Sequence, residues 1–209
     1  MNALIQNTQE WLDARAGSLG ASQVADAIAR TKTGWGASRA NILAQLVAER
    51  LTGRPQESYS NAAMQWGKDM EPIARSAYEA RTGRLVELVG LVKHPRLEGT
   101  HASPDGLVVD DGIIEIKCPN TATHIDTLRS ETIAGRYVTQ MQWQMACTGR
   151  DWCDFVSFDP RMPEHMQLWV QRVDRAPQVI EELERMVGEF LGEVNATVTD
   201  LNLKYTEQF

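Results

Sequence analysis

The segment Ser103-Pro-Asp-Gly-Leu-Val-Val-Asp-Asp-Gly-Ile-Ile-Glu-Ile-Lys117 gathers the groups best suited to chemistry. Side chains alternate faces along a strand, so Glu115 and Lys117 share one. Where Asp105 lies depends on the turn. A two-residue loop, Asp111-Gly112, would pair Asp110 with Ile113 and turn Asp105 away from Glu115. A three-residue loop, Asp110-Asp111-Gly112, pairs Val109 with Ile113, sets Leu107 opposite Glu115 and Asp105 opposite Lys117, and brings all three polar groups together. Glycine in the last loop position suits the left-handed residue of such a hairpin, so this register is the expected one. Two carboxylates that close repel unless a cation lies between them. Hard oxygen donors without His or Cys favour Mg²⁺, with Mn²⁺ as a substitute. A divalent ion polarises a phosphoryl oxygen and acidifies a bound water. Lys117 would position or deprotonate that water and stabilise charge on a phosphorane-like transition state. Together these parts specify metal-assisted phosphodiester hydrolysis.

Pro-Asp-Gly by itself is a common turn, and Glu-x-Lys by itself is usually a solvated ion pair. The neighbours of Glu115 make the difference. Ile113, Ile114 and Ile116 are apolar on both faces, which marks a central strand where a charge needs a reason.

The elements that must hold these residues follow from periodicity and caps. Thr8 or Gln9 opens a short helix that carries Trp11 and ends near Gly17. Ser22 is placed as the N-cap of the helix over QVADAIAR, and Ser38 as the cap of the next. That next helix has Ile42, Leu43, Leu46, Val47 and Leu51 at helical spacing and Gly53 just past its end. Residues 54–61 read as loop. The stretch 62–82 is helical, but Pro72 belongs in a first turn, so the helix is expected to start near Met70 or to kink there, with Glu71 at its entry. Leu85–Val92 reads as one strand, then Leu107–Val109 and Ile113–Lys117 as a hairpin. Helices follow over 122–130 and 134–148, strands over 155–158 and 166–173, and an amphipathic helix over 177–194. A mixed β-sheet flanked by helices is the α/β architecture this order implies.

The 209 residues, with no internal repeat or Gly/Ser/Pro linker, predict a single domain over 1–209. No run of 18 apolar residues is present, so no membrane span or membrane partner is expected. The N-terminus lacks the basic and apolar regions of a secretory signal. Cys118, Cys147 and Cys153 form no CxxC pair, consistent with reduced thiols in a cytoplasmic protein. The net charge of −7 argues against a non-specific basic coat for nucleic acid. It leaves room for a confined basic site on an acidic body.

Six pieces in order extend the hairpin pattern: Trp11-Leu-Asp-Ala-Arg15 with Gly20-Ala-Ser22, Trp66-Gly-Lys-Asp-Met-Glu71, Ser103-Pro-Asp-Gly106, Glu115-Ile-Lys-Cys-Pro119, Gln140-Met-Gln142 and Asp159-Pro-Arg161. Over residues 9 to 173 the chain resembles the phage lambda exonuclease (YqaJ-type viral recombinase) family of PD-(D/E)xK nucleases. The resemblance implies a restriction-endonuclease-like core. It also implies metal ligation by Asp105, Glu115, the Ile116 carbonyl and Glu71, with Lys117 as catalytic lysine and Gln140 beside them. Arg15, Ser22 and Ser103 match a pocket for the 5′-phosphate of a DNA end; arginine suits phosphate because its planar fork binds two oxygens. Met64 matches an apolar wedge between the strands. Gly20 departs from the family, which has a pocket threonine there, and removes a hydroxyl donor.

The implied activity is Mg²⁺-dependent 5′→3′ digestion of linear double-stranded DNA. The implied setting is a homotrimeric ring working with a single-strand annealing protein in the cytoplasm of a bacterial host of phage or prophage genes. Two alternatives remain open at the level of sequence: an endonuclease with site or structure specificity, and a non-catalytic DNA-end-binding module. His101, close to Asp105 in sequence, is the one histidine that merits a test.

Overall fold

The computed structural model describes residues 6, 8–32, 34–56 and 61–206. Its elements in chain order are α1 (Gln9–Arg15), β1 (Leu19–Gly20), α2 (Ala21–Ala27), β2 (Arg30–Thr31), β3 (Gly34–Trp35), α3 (Ala37–Thr52), α4 (Ala62–Thr82), β4 (Val86–Glu87), β5 (Val92–Lys93), β6 (Thr100–Ala102), β7 (Gly106–Val108), β8 (Gly112–Lys117), α5 (Thr121–Ser130), α6 (Gly135–Thr148), β9 (Trp152–Phe158), β10 (Leu168–Asp174) and α7 (Pro177–Thr206). Of the loop expected over 54–61, residues 57–60 lie outside the described residues.

A five-stranded mixed sheet runs in the order β10-β9-β8-β7-β4, with β8 and β9 parallel and the other pairs antiparallel. A smaller sheet runs in the order β1-β6-β5, its last two strands inserted in the chain between β4 and β7 of the large one. Alternation on β8 divides two cores. Ile114 and Ile116 pack with Ala74 and Tyr78 of α4 on one face. Ile113 packs with Met141 and Met145 of α6 on the other. A third core joins α2, α3 and α6 to α7, whose Ile180, Leu183, Val187, Phe190, Leu191 and Val194 are all buried. Each such side chain contributes about 1.5–3 kcal/mol when removed from water.

Several expectations change. The N-cap of α2 is Gly20, not Ser22, and that of α3 is Gly36, not Ser38. Helix α4 spans Ala62–Thr82, the whole helical stretch read from sequence, and does not start near Met70, because the Asn61 side chain caps it by accepting from Met64 N at 2.9 Å. Pro72 therefore lies inside the helix, and Glu71 is mid-helix. The single strand expected over Leu85–Val92 is two strands in two different sheets. The last helix runs on to Thr206.

The hairpin register is also corrected. Val108 pairs with Gly112 and Gly106 with Ile114, so the loop is Val109-Asp110-Asp111. Val109, not glycine, takes the left-handed conformation, with φ 47°. Gly112 is needed for another reason: a Cβ there would come within 2.2 Å of the Trp152 ring on its parallel neighbour. The slip from the expected register is two residues, which preserves the faces. Asp105, Glu115 and Lys117 still converge.

Candidate active site

Glu115 lies on the central strand β8 and is 1% exposed. Its carboxylate is fully engaged. Lys117 Nζ pairs with Oε1. From α6, Gln140 Nε2 donates to Oε1 at 2.7 Å and Gln144 Nε2 to Oε2 at 2.6 Å. Tyr137, one turn earlier on α6, lays its ring 5.1 Å from Lys117 Nζ.

β7 begins at Gly106, opposite Ile114, so past Ile114 no strand among the described residues pairs with β8 on that side. Ile116 N donates there to Asp105 Oδ2 at 2.6 Å. The N–H and C=O of one residue point to the same neighbouring strand, so the Ile116 carbonyl faces the opening that Asp105 borders. Glu71 approaches from α4 and pairs with Arg75 at 3.6 Å, one turn further on.

The electrostatics are those of a crowded acidic site. Burial, Glu115 and Glu71 push the Asp105 carboxyl well above its ordinary value. Glu71 is raised by burial and by Glu115, although Arg75 and Lys117 pull the other way. Burial alone would lower Lys117, but Glu115 and Asp105 outweigh it and raise the ammonium above its usual range. In the metal-free site Lys117 is therefore an ammonium. Three carboxylates thus crowd Lys117 and, at Glu71, Arg75 in a partly desolvated space, a repulsion that a bound cation would relieve. Among the described residues, no group of three or more His, Cys, Asp or Glu side chains is placed to hold a metal ion by itself. The donor set of Asp105, Glu115, Glu71 and the Ile116 carbonyl consists of hard oxygens only and fits Mg²⁺ by chemistry.

Beside this site lies a second one. A cavity of about 160 Å³ is lined by Trp11, Arg15, Gly20, Ser22, His101, Ser103, Gln140 and Gln144, among others. All three residues expected in a phosphate pocket line it. Arg15 stacks on the Trp11 ring at 4.0 Å. Trp11 Nε1 donates to Ser103 Oγ at 3.2 Å. An indole can only donate, so the Ser103 hydroxyl proton is left for another acceptor. Gln144 Oε1 is buried and unpartnered, and Gln140 and Gln144 form the wall shared with Glu115.

The chain belongs to the family of YqaJ-like viral recombinase domains, whose model matches residues 10–151. It is similar to LHK-Exo, the alkaline exonuclease of Laribacter hongkongensis. The structure of that protein in complex with dAMP has 49% identity and a TM-score of 0.91, covering 97% of this chain and 100% of the other. A second LHK-Exo structure gives 48% identity and a TM-score of 0.90 over the same shares. A phage-related exonuclease from Haemophilus somnus, 16% identical with a TM-score of 0.72 over 88% of this chain and 96% of its own, shares the fold. Among curated proteins, none matches.

Of the residues singled out from sequence, the structure brings Asp105, Glu115, Ile116, Lys117, Glu71 and Gln140 together, and Arg15, Ser22 and Ser103 around the adjacent cavity. Met64 is 46% exposed near the start of α4, away from the cavity lining. Gln142 is not at the site: it ties Asp174 O and Ala176 N. Sequence reasoning missed Gln144, which its spacing of four from Gln140 would have revealed. It also assigned no site role to Trp11, which is buried and holds two pocket residues.

Asp159-Pro-Arg161 reaches the chain just after β8, where Arg161 Nη2 donates to Pro119 O at 3.3 Å. Arg161 pairs with Asp159 at 2.7 Å and covers the Trp66 ring at 4.5 Å. Asp159 also accepts from Thr121 at 2.7 Å, which ties β9 to the start of α5.

Proposed function

We propose that this chain is a Mg²⁺-dependent exonuclease that degrades the 5′-ended strand of linear double-stranded DNA and leaves a 3′ single strand for recombination by annealing. The observation that carries this reading is the shared glutamine wall. Gln140 and Gln144 bind the Glu115 carboxylate and at the same time line the Arg15 cavity. A terminal 5′-phosphate held by Arg15, Ser22 and Ser103 would place the next phosphodiester within reach of Asp105, Glu115 and Lys117. Hydrolysis there releases one mononucleotide, and the strand then moves forward by one unit. This gives 5′→3′ polarity. LHK-Exo has been crystallised with dAMP, a mononucleotide of the kind such a cycle would release.

Asp105, Glu115, Glu71 and the Ile116 carbonyl would hold the Mg²⁺ ion, which when bound supplies Lewis-acid polarisation of the phosphoryl oxygen and an acidified water. The protein's own groups do the rest. Gln140 and Gln144 fix the Glu115 carboxylate so that it needs no reorganisation. Lys117 Nζ keeps its proton and donates to the oxygens on which charge builds. Arg15 and Ser103 hold the leading phosphate and set the register. Contacts of this kind are to phosphates, so digestion is independent of sequence and binding weakens with salt.

The same reading includes a homotrimeric ring around the DNA, a single-strand annealing protein as partner, and action in the cytoplasm of a bacterial host. Family membership supports these three. No helix among the described residues is long and apolar enough to cross a membrane.

The test is nucleotide release from linear duplexes with a 5′-phosphate or a 5′-hydroxyl, in Mg²⁺ and in EDTA, for wild type and Lys117→Ala. Expected is Mg²⁺-dependent loss of the 5′ strand, faster with phosphate and absent in the variant, with closed circular DNA left intact. Cutting of circles would make the protein an endonuclease. End binding without degradation would make it a non-catalytic module.

A further inference from the structure

His101 is 2% exposed and sits on β6, the middle strand of the small sheet, opposite Gly20 of β1 and Lys93 of β5. Its two nitrogens have distinct partners. Arg15 Nε donates to Nε2 at 3.3 Å, and Nδ1 lies 2.8 Å from Ser18 Oγ. A guanidinium can only donate. Nε2 must therefore be the bare nitrogen, and Nδ1 carries the proton toward Ser18. Burial and the adjacent Arg15 charge pull the imidazole down to about 4, so it stays neutral at physiological pH. Ser18 N also bonds Arg15 O at 3.0 Å, which closes a small ring of contacts between α1 and β1.

We infer that His101 is a positioning residue for the 5′-phosphate pocket: it orients the Arg15 guanidinium through Nε while leaving the full positive charge for the DNA end. This rests on the reading of that cavity as a phosphate pocket. The choice of partner is the key. A carboxylate bonded directly to this half-buried arginine would neutralise it and repel an incoming phosphate. Among the described residues no carboxylate is within ion-pair distance of Arg15; Glu49 acts on it only at longer range, its own oxygens being held by Gly17 N at 2.7 Å and Gln45 Nε2 at 2.9 Å. A neutral imidazole supplies the acceptor without the charge, and the Trp11 face, 4.0 Å away, supports the guanidinium from another side. A Cβ at Gly20 would lie 3.4 Å from His101 Nε2 and 3.7 Å from Arg15 Nη2, ordinary contact distances, so the pair sits directly against this position of β1.

The experiment measures the ratio of digestion rates on 5′-phosphate and 5′-hydroxyl duplexes, with Mg²⁺, for wild type, Arg15→Ala, His101→Leu, His101→Gln and His101→Glu. The ratio divides out any loss of folded enzyme. Arg15→Ala should bring the ratio close to one. His101→Leu, which removes the acceptor, should lower it about tenfold. His101→Gln, a neutral acceptor of similar reach, should return it to within about threefold of wild type. His101→Glu keeps an acceptor but cancels the charge, and should fall as far as Arg15→Ala. A wild-type ratio near one, or an Arg15→Ala ratio equal to wild type, overturns the phosphate pocket itself. A normal wild type and a collapsed Arg15→Ala, with His101→Leu unchanged or with Gln and Glu behaving alike, overturns the role of His101 alone. If His101→Leu does not fold, the Gln and Glu pair decides.

Discussion

Two buried carboxylates sit on adjacent central strands of one sheet and live in opposite surroundings. Glu115 on β8 faces α6, and among the described residues its ion pair is with Lys117 alone, while Asp105 and Glu71 crowd the same space. Asp154 on β9 faces α4 and is surplus in cations. Arg172 holds it with two bonds of 2.9 and 3.0 Å, Tyr78 donates at 2.7 Å, and Arg84 stands 3.6 Å away. Arg172 and Arg84 also cover the Trp152 ring at 3.5 and 5.7 Å. The second cluster is complete as it stands and ties β9 to β10 and α4. The first is under-compensated and held in place by neutral amides. A carboxylate finished by its own protein is architecture, whereas one left short of positive charge is prepared for something that arrives from outside.

The sharpest way to break this contrast is to exchange activity for stability. Glu115→Gln and Lys117→Ala should each reduce nucleotide release by about 10³-fold, on the scale of losing a transition-state stabiliser. Asp154→Asn should leave the rate per folded molecule within about threefold of wild type. A comparable loss in Asp154→Asn would mean that the two clusters are one functional unit.

Stability should show the reverse. Asp154→Asn strands partners of a buried pair, which costs about 2–4 kcal/mol after allowing for the partial exposure of both arginines. Asp105→Asn removes like-charge repulsion and should leave metal-free stability equal to or up to about 1 kcal/mol above wild type. Urea unfolding in EDTA measures both. A large destabilisation by Asp105→Asn would make the acidic cluster architectural after all.

How far each cluster could be read from sequence follows the same contrast. The active-site cluster is local: Asp105, Glu115 and Lys117 lie within thirteen positions, and alternation around any odd-numbered loop puts them on one face. A register wrong by two therefore still delivered the right convergence. The turn itself failed because Gly112 was read as a left-handed residue, when its hydrogen is required by Trp152, forty positions away. The Asp154 cluster joins residues from α4, the turn after it, β9 and β10, and no spacing rule connects Tyr78 to Asp154. The pocket residues Arg15, Ser22 and Ser103 came from family resemblance alone. Their union depends on β1 pairing with β6 in a sheet whose strands of two or three residues carry almost no periodic signal. Long amphipathic helices were legible, yet the start of α4 was not, because the Asn61 cap outweighed the signal of Pro72.

A cation titration sharpens the contrast further. Mg²⁺ at about a hundredfold excess over its Kd should stabilise the wild-type fold by about 2.7 kcal/mol through binding to the native state. Asp154→Asn should show the same increment on its lower baseline, and Asp105→Asn or Glu115→Gln little or none. Thermal melts with and without Mg²⁺ give the three increments. An equal shift in all variants would place the ion elsewhere.

The smallest effect is the pH dependence of metal-free stability, and its sign separates the clusters cleanly. The folded Asp105 carboxyl is raised above its unfolded value of about 3.9. Its contribution is therefore fully present at lower pH and is lost as pH rises through the raised folded value. Glu71 moves in the same direction. His101, pulled down to about 4, acts oppositely between that value and about 6.5, because the unfolded chain takes up the proton that the fold refuses. Asp159, pulled down to about 2 by Arg161 and Thr121 against its burial, stabilises above about 3.9 and gives that up only in stronger acid. Total stability mixes these slopes, so the informative quantity is wild type minus Asp105→Asn across pH 4 to 8 in EDTA. That difference should become less favourable to wild type as pH rises. With saturating Mg²⁺ the slope should reverse, since only the ionised carboxylate binds the ion. A difference that stays flat in EDTA would mean that Asp105 is as well compensated as Asp154, and the distinction between the two faces of the sheet would go with it.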